Sequence, residues 1–155
     1  MSNSSAWLEP RIFGAPVPGW GYDLRPGVYA VVLDAAGSVA VVHNPRGAFL
    51  PGGGVEPGET SEQALRREVR EECGYAIDAV ERLGEATQYV LSPGKVRGLE
   101  KRGVFFRATF GERLGEPTSS EDCLAWLAPE LALRTLTLAS QVWVTERVAG
   151  WPAQR

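Results

Sequence analysis

The apolar positions of the chain fall into two rhythms. Val28-Tyr29-Ala30-Val31-Val32-Leu33 and Val39-Ala40-Val41-Val42 are nearly unbroken apolar runs on either side of a polar turn from Asp34 to Gly37. Short β-branched runs bounded by turn residues predict two buried strands joined by a tight turn. Asn44 to Gly47 predicts a further turn, Phe49-Leu50 a brief apolar run, and Pro51-Gly52-Gly53-Gly54 the start of a loop lasting through Pro57-Gly58. The period then changes. Thr60 with Gln63 three residues on forms a capping box, Leu65, Val69 and Cys73 recur at helical spacing, and Gly74 is a favoured residue just past a helix end. A helix from Thr60 to Cys73 follows.

Beyond it the chain reads as extended from Tyr75 to Val90, as a polar loop from Ser92 to Lys101 and as a strand from Gly103 to Phe110. A second loop covers Gly111 to Glu121, Leu124 to Leu127 makes a short strand, and Pro129 to Ala149 one or two helices. Residues 1–26 are broken by Pro10, Pro16, Pro18, Gly19, Gly21 and Pro26 and predict an irregular N-terminal arm, leaving 27–150 as the single folded domain. The arm's aromatics, Trp7, Trp20 and Tyr22, are expected to pack onto the body, with nucleobase stacking as the lesser reading. Strands, one helix, strands and terminal helices in that order imply a mixed α+β sandwich and exclude a doubly wound array.

Composition narrows the field. A chain of 155 residues with 44% hydrophobic content suits one domain with a real core. With 16 Lys and Arg against 19 Asp and Glu, a net charge of −3 and no basic stripe, nucleic acid and membrane surfaces are poor partners and a small molecule is the better one. No basic segment leads into an apolar one at the N-terminus and no long uncharged apolar window occurs, so a cytoplasmic protein is expected. Cys73 and Cys123 belong to no CxxC pair and are expected to be buried, inert thiols.

The chemistry sits on the central helix. At about 100° per residue, Glu72, Glu68 and Glu71 fall within an arc of roughly 100° beside the Leu65, Val69 and Cys73 stripe. Like charges at these spacings repel unless a cation sits among them, and a hard divalent ion suits oxygen donors. A solvated acidic face bridged to Arg66, Arg67 and Arg70 is the bland alternative. The preceding Gly52, Gly53 and Gly54 allow the close backbone approach that a phosphate and metal site needs.

Loop and helix together read Gly53-x5-Glu59-x7-Arg67-Glu68-Val69-x-Glu71-Glu72-x-Gly74-Tyr75, which resembles the Nudix box of the Nudix hydrolase family. Seven fixed residues at fixed spacing arise by chance on the order of 10⁻⁸ per start point, from typical residue usage. Tyr75, where the family more often has an aliphatic residue, is the one departure. The resemblance implies an α/β/α sandwich with a mixed sheet and Mg²⁺- or Mn²⁺-dependent cleavage of a pyrophosphate bond in a nucleoside diphosphate linked to another group. It implies that Glu68, Glu71 and Glu72 hold the metal with the Gly52 carbonyl, and that Gly53, Glu59, Arg67 and Gly74 are structural. Physically, Arg67 can offer Glu59 a bidentate pair that pins the loop to the helix.

Two residues compete as general base: Glu68, and Glu121, five residues before Trp126, which the resemblance suggests because some family members draw a glutamate from the loop before a late tryptophan-bearing strand; Glu116 and Asp122 are its rivals there. Arg46, Lys101 and Arg102 are candidates to meet phosphates, Lys95 and Arg97 share their loop, and His43, the only histidine, is expected to be structural. The family's subgroup markers, a proline or tyrosine fifteen to seventeen residues past the box, would fall at Val90, Leu91 and Ser92; Tyr89 and Pro93 lie beside that window. Tyr89 is carried as a substrate-contact candidate. The rival functions are a regulatory Nudix-like domain that binds a nucleotide without hydrolysing it, and homodimerisation through the arm and terminal helices.

Overall fold

A computed structural model describes residues 8–92 and 94–149. Trp7 and Pro93 lie outside the described residues. In chain order the elements are β1 (Arg11–Phe13), β2 (Gly21–Val32), β3 (Val39–Asn44), β4 (Gly47–Phe49), β5 (Gly52–Gly54) and α1 (Ser61–Cys73). They continue with β6 (Tyr75–Leu91), β7 (Arg97–Arg113), β8 (Cys123–Leu127), α2 (Pro129–Thr135) and α3 (Ala139–Ala149).

The strands form a mixed five-stranded sheet in the order β1-β6-β7-β2-β5 and a three-stranded one in the order β4-β3-β8. Both are buried on two faces, which is why β2 and β3 read as continuous Val-rich runs. On one face Val28, Ala30, Val32, Phe106 and Ala108 pack with Ala40 and Val42 against Ala64, Leu65, Val69 and Cys73 of α1. On the other, Val31, Phe105, Val39 and Val41 pack with Ala132 of α2 and Trp143 and Val144 of α3. This is the expected α/β/α sandwich. Among the described residues no helix is long and apolar enough to cross a membrane.

The expected tight turn forms where Gly37 N–H donates to the Asp34 carbonyl at 3.0 Å. It does not close a hairpin within one sheet: only an isolated Leu33–Val39 bridge joins β2 and β3, and the chain passes from one sheet to the other. The long ladder of β2 is instead with β7, parallel from Gly21–Arg97 to Val32–Ala108.

That pairing corrects the sequence reading at two places. Residues 21–26, expected to be irregular, form the first half of β2, and β1 lies parallel to β6. Pro26 and the glycines offered no local period, and ladder bonds from β7 and β6 supply the order instead. Likewise the polar stretch before Gly103 is already strand from Arg97, and Gly52 to Gly54 is a strand paired antiparallel to Gly27 to Tyr29.

The helix expectation holds in detail. Thr60 caps α1, with reciprocal bonds between its hydroxyl and the Gln63 N–H and between the Gln63 side chain and the Thr60 N–H. Gly74 ends it in the left-handed region at φ 76°, where a Cβ would meet the Gly115 carbonyl at 2.0 Å. Tyr75 stacks on Phe110 at 4.8 Å between ring centroids, so the departure from an aliphatic residue adds an aromatic layer. Cys73 is buried as expected; Cys123 is exposed, because strand alternation turns it outward at the start of β8.

Candidate functional site

The glycines before α1 allow backbone and carboxylate to meet. Gly52 sits at φ 148°, and a Cβ there would stand 2.0 Å from the Val28 carbonyl oxygen. A Cβ on Gly53 would stand 2.4 Å from the Glu68 carboxyl carbon. The bare strand therefore lets Glu68 lie against β5, while the Gly52 N–H donates to Glu72 Oε1 at 2.8 Å.

One residue holds this junction together. The Arg67 guanidinium donates to both Glu59 oxygens, at 2.8 and 2.9 Å, and to the Gly54 carbonyl at 2.9 Å. The expected bidentate pair thus forms, and it holds the Glu59 carboxyl down to about 2. Arg67 also donates to Glu68 at 2.9 Å and to Glu71 at 3.5 Å, so it steadies two further acids of the helix.

Glu68 and Glu72, one helical turn apart, line a cavity of about 410 Å³ together with Gly52, Gly53 and Gly54. Burial pushes the Glu72 carboxyl up to about 8, aided by the charges of Glu68 and Asp122. Glu68 is raised as well, chiefly by burial. Two partly buried carboxylates facing one space disfavour their own ionisation until a cation joins them, and their hard oxygen donors suit a divalent ion. Among the described residues no group of three or more His, Cys, Asp or Glu stands close enough to hold a metal ion by itself. The two carboxylates of the cavity are hard oxygen donors of the kind a divalent ion such as Mg²⁺ takes alongside water and substrate oxygens. Glu71 lies off the cavity wall, with its side chain half exposed beside Arg67.

The rest of the lining comes from elsewhere in the chain. Arg25, Gly27 and Tyr29 of β2, Leu99 and Lys101 of β7, and Asn44, Arg46 and Phe49 around the β3–β4 turn line the same cavity. Alternation along paired strands explains the selection. Arg25 is the register partner of Lys101, and Tyr29 of Phe105, so the odd-numbered residues share the cavity face.

The same parity excludes two candidates from this cavity. Arg102 lies on the other face, where it donates to Glu100 at 2.7 Å. Tyr89, opposite Glu100 in the β6–β7 ladder, packs edge-on against Tyr22 at 5.4 Å. Arg97 is taken up by Asp23, so of the four basic residues in that stretch only Lys101 reaches the cavity. Arg46, presented by an Asn44 side-chain bond to its N–H at 2.9 Å, does line it.

Glu121 is exposed and outside the cavity lining. Its neighbour Asp122, likewise outside that lining, accepts from Asn44 Nδ2 at 3.4 Å, and its charge helps to raise the Glu72 carboxyl. His43 lies half-buried in the three-stranded sheet, opposite Ala48 and Cys123.

A contributor that local patterns concealed is Gln141. Fully buried on α3, it accepts the Leu50 N–H at 2.8 Å. Thr137, just before α3, accepts the Ala48 N–H at 3.0 Å and donates its own N–H to the Ala48 carbonyl at 2.9 Å. Thr137 and α3 thereby grip β4 and Leu50 just ahead of Gly52, in place of a neighbouring strand. A buried glutamine at a helical core position was the sequence signal.

Comparison with known proteins agrees with this geometry. The chain is 58% identical over 38 residues to the nucleoside triphosphatase NudI of Enterobacter sp. (strain 638), covering 21% of this chain and 27% of that protein. It is 52% identical over 49 residues to NudI of Escherichia coli O1:K1 / APEC, covering 28% and 35% respectively. The chain thus spans about a third or less of the length of these curated relatives. The mutator MutT protein of Bacillus halodurans superposes with a TM-score of 0.66 at 25% identity, over 81% of this chain and 82% of that one. A NUDIX hydrolase from Nitrosomonas europaea shares the fold at a TM-score of 0.68 and 21% identity, over 83% and 90%. With the box pinned by Arg67 and a match to the NUDIX domain over residues 23–146, the chain belongs to the Nudix family.

Proposed function

We propose that the protein hydrolyses a pyrophosphate bond in a small nucleotide derivative, with Mg²⁺ or Mn²⁺ as cofactor. The observation that carries this reading is the cavity whose lining joins Glu68, Glu72 and the glycine strand to Arg25, Arg46 and Lys101. Nudix hydrolases in general use divalent metals, and two relatives are named as nucleoside triphosphatases. A nucleoside triphosphate is accordingly the first substrate to test.

In this reading Glu68 and Glu72 hold the cation, with Glu71 beside them and the Gly52 carbonyl as a further oxygen donor. The bound cation supplies charge neutralisation at phosphorus and lowers the pKa of water. Arg67 keeps the Glu68 carboxylate oriented and pins Gly54, so the wall does not collapse when substrate arrives. Glu68, which lies in the cavity, is the first candidate to take the proton of the attacking water. Asp122, bonded to the cavity residue Asn44, stands beside Glu121 as a second candidate. Tyr29, Phe49 and Leu99 offer an apolar surface for the remainder of the substrate.

The test is product release from a panel of nucleoside triphosphates, nucleotide sugars and dinucleotides, each with Mg²⁺, with Mn²⁺ and with chelator. Strongly metal-dependent release from one class is expected. Nucleotide binding by the folded protein with no metal-dependent product from any class would establish the regulatory alternative.

A further inference from the structure

The segment that carries the chain from β4 into β5 is held by groups gathered from several elements. Leu50 and Pro51 belong to neither strand, and Pro51 has no N–H to give. The Leu50 N–H donates to Gln141 Oε1 at 2.8 Å, and the Pro51 carbonyl accepts the Ala30 N–H at 2.9 Å. The Gly52 N–H then donates to Glu72 Oε1 at 2.8 Å. The bond from α3 thus falls two residues before the bond that seats an acid of the cavity.

A glutamine at this place is costly. Gln141 is 0% exposed, on a helix whose Trp143 and Val144 share an apolar core with Leu50. Among the described residues its Nε2 has no hydrogen-bond partner, and neither has the equally buried Thr145 hydroxyl one turn on. An apolar side chain of the same length would avoid the unmet N–H groups. What glutamine adds is the oxygen for Leu50. The helix that presents it is itself anchored: the Ser140 N–H donates to Gln88 Oε1 of β6 at 3.0 Å, and Thr137 takes the Ala48 N–H at 3.0 Å. A fixed helix can therefore set the place of the segment that it holds.

We infer that Gln141 is a positioning residue for the acid site: by fixing Leu50 it sets where Gly52 meets Glu72, and α3 thereby governs how tightly the cavity takes a divalent ion. The inference rests on the metal-binding reading for its ligand, whereas the placement of Gly52 is measurable without metal.

The experiment compares variants of the whole chain by Mn²⁺ titration without nucleotide, followed by electron paramagnetic resonance, and by amide hydrogen exchange without metal. Gln141→Met keeps the side-chain length and removes the oxygen. It should weaken Mn²⁺ binding about tenfold, the effect of one lost hydrogen bond. It should also speed exchange at Gly52 more than at Val69, a buried residue of α1. Half-maximal turnover should need about ten times more Mg²⁺, with the rate at saturating Mg²⁺ kept. Thr137→Val removes the acceptor for Ala48, farther from Gly52; it should move the same readouts in the same direction and by less, and it decides the matter if Gln141→Met does not fold. Val144→Ala opens a cavity beneath the same helix and lowers stability without touching these bonds. It should speed Gly52 and Val69 alike and leave Mn²⁺ affinity within about twofold.

Mn²⁺ affinity unchanged in both Gln141→Met and Thr137→Val, or lost equally in Val144→Ala, would overturn the inference and leave α3 as core packing alone. A folded parent that binds no Mn²⁺ would overturn the metal reading. Selective exchange at Gly52 in Gln141→Met would then still uphold Gln141 as the residue that places Gly52, and parallel exchange at Gly52 and Val69 would overturn that as well.

Discussion

Two parts of the cavity lining are made in opposite ways. The acidic part is one continuous stretch: the glycine strand, the Glu59 loop and α1 follow each other from Gly52 to Gly74, pinned by the single side chain of Arg67. The cationic part is gathered from three separate segments, around Arg25, Arg46 and Lys101, and exists only because β2 runs parallel to β7 in one register. A slip of one residue would turn Lys101 out and Arg102 in. A local part tolerates changes elsewhere in the sheet, whereas a gathered part depends on pairing far from its own residues.

The largest expected effects lie in the acidic part. Glu68→Gln and Glu72→Gln should each lower metal-dependent turnover about a thousandfold, the several kcal/mol that charge stabilisation by a bound ion supplies. Circular dichroism should show both variants folded, since the amide keeps an oxygen for Gly52 N–H in the second case. Near-normal turnover by both would remove the acidic part from the chemistry.

Gly52→Ala should cost the fold itself, by about 3 kcal/mol or more in urea unfolding, because its Cβ meets the Val28 backbone at 2.0 Å. Gly53→Ala, whose Cβ meets the movable Glu68 carboxyl instead, should retain most stability and lose turnover. Equal destabilisation by the two would mean that β5 is less closely seated on β2 than the ladder indicates. Arg67→Lys sharpens the same contrast. It should cost about 2 kcal/mol and at least tenfold in turnover, since an ammonium cannot keep the bidentate bond to Glu59 together with those to Gly54 and Glu68.

The pH dependence separates the two parts without mutation. The Glu72 carboxyl is raised in the folded state from 4.5 to about 8, so its protonated form is favoured by folding. Its contribution to stability is full below about 4.5 and is lost as pH rises through about 8. Glu59, lowered to about 2, works the other way, contributing above 4.5 and losing it as pH falls toward 2. Metal-free protein should therefore lose stability across the neutral range, and added Mg²⁺ or the Glu72→Gln change should flatten that slope. A slope unchanged in Glu72→Gln would assign it to another group.

The smaller effects test the parts gathered from afar. Gln141→Met leaves the buried Leu50 N–H without an acceptor and should cost about 2 kcal/mol. The smallest belong to residues the tertiary structure turns away: Glu121→Gln and Tyr89→Phe should leave turnover within about twofold, as exposed or remote substitutions do. A large loss from Glu121→Gln would favour Glu121 over Asp122, as the sequence reading does.

Whatever depends on near neighbours was legible in the residues alone. The capping box at Thr60, the Leu65, Val69 and Cys73 stripe, the left-handed stop at Gly74 and the Glu59–Arg67 pair all span a few helical turns, where backbone geometry leaves little freedom. The mixed α+β sandwich followed from the order and apolarity of the runs, and its α/β/α layering from the resemblance that the box carries. Tertiary structure decided whatever depends on register and pairing: that residues 21–26 are strand, that Arg25 joins Lys101 while Arg102 and Tyr89 face away, that Asp122 bonds to Asn44, and that Gln141 holds Leu50. Strand residues alternate between faces at every step, so a side chain's destination is set by a partner strand some seventy residues distant, and no local period records it.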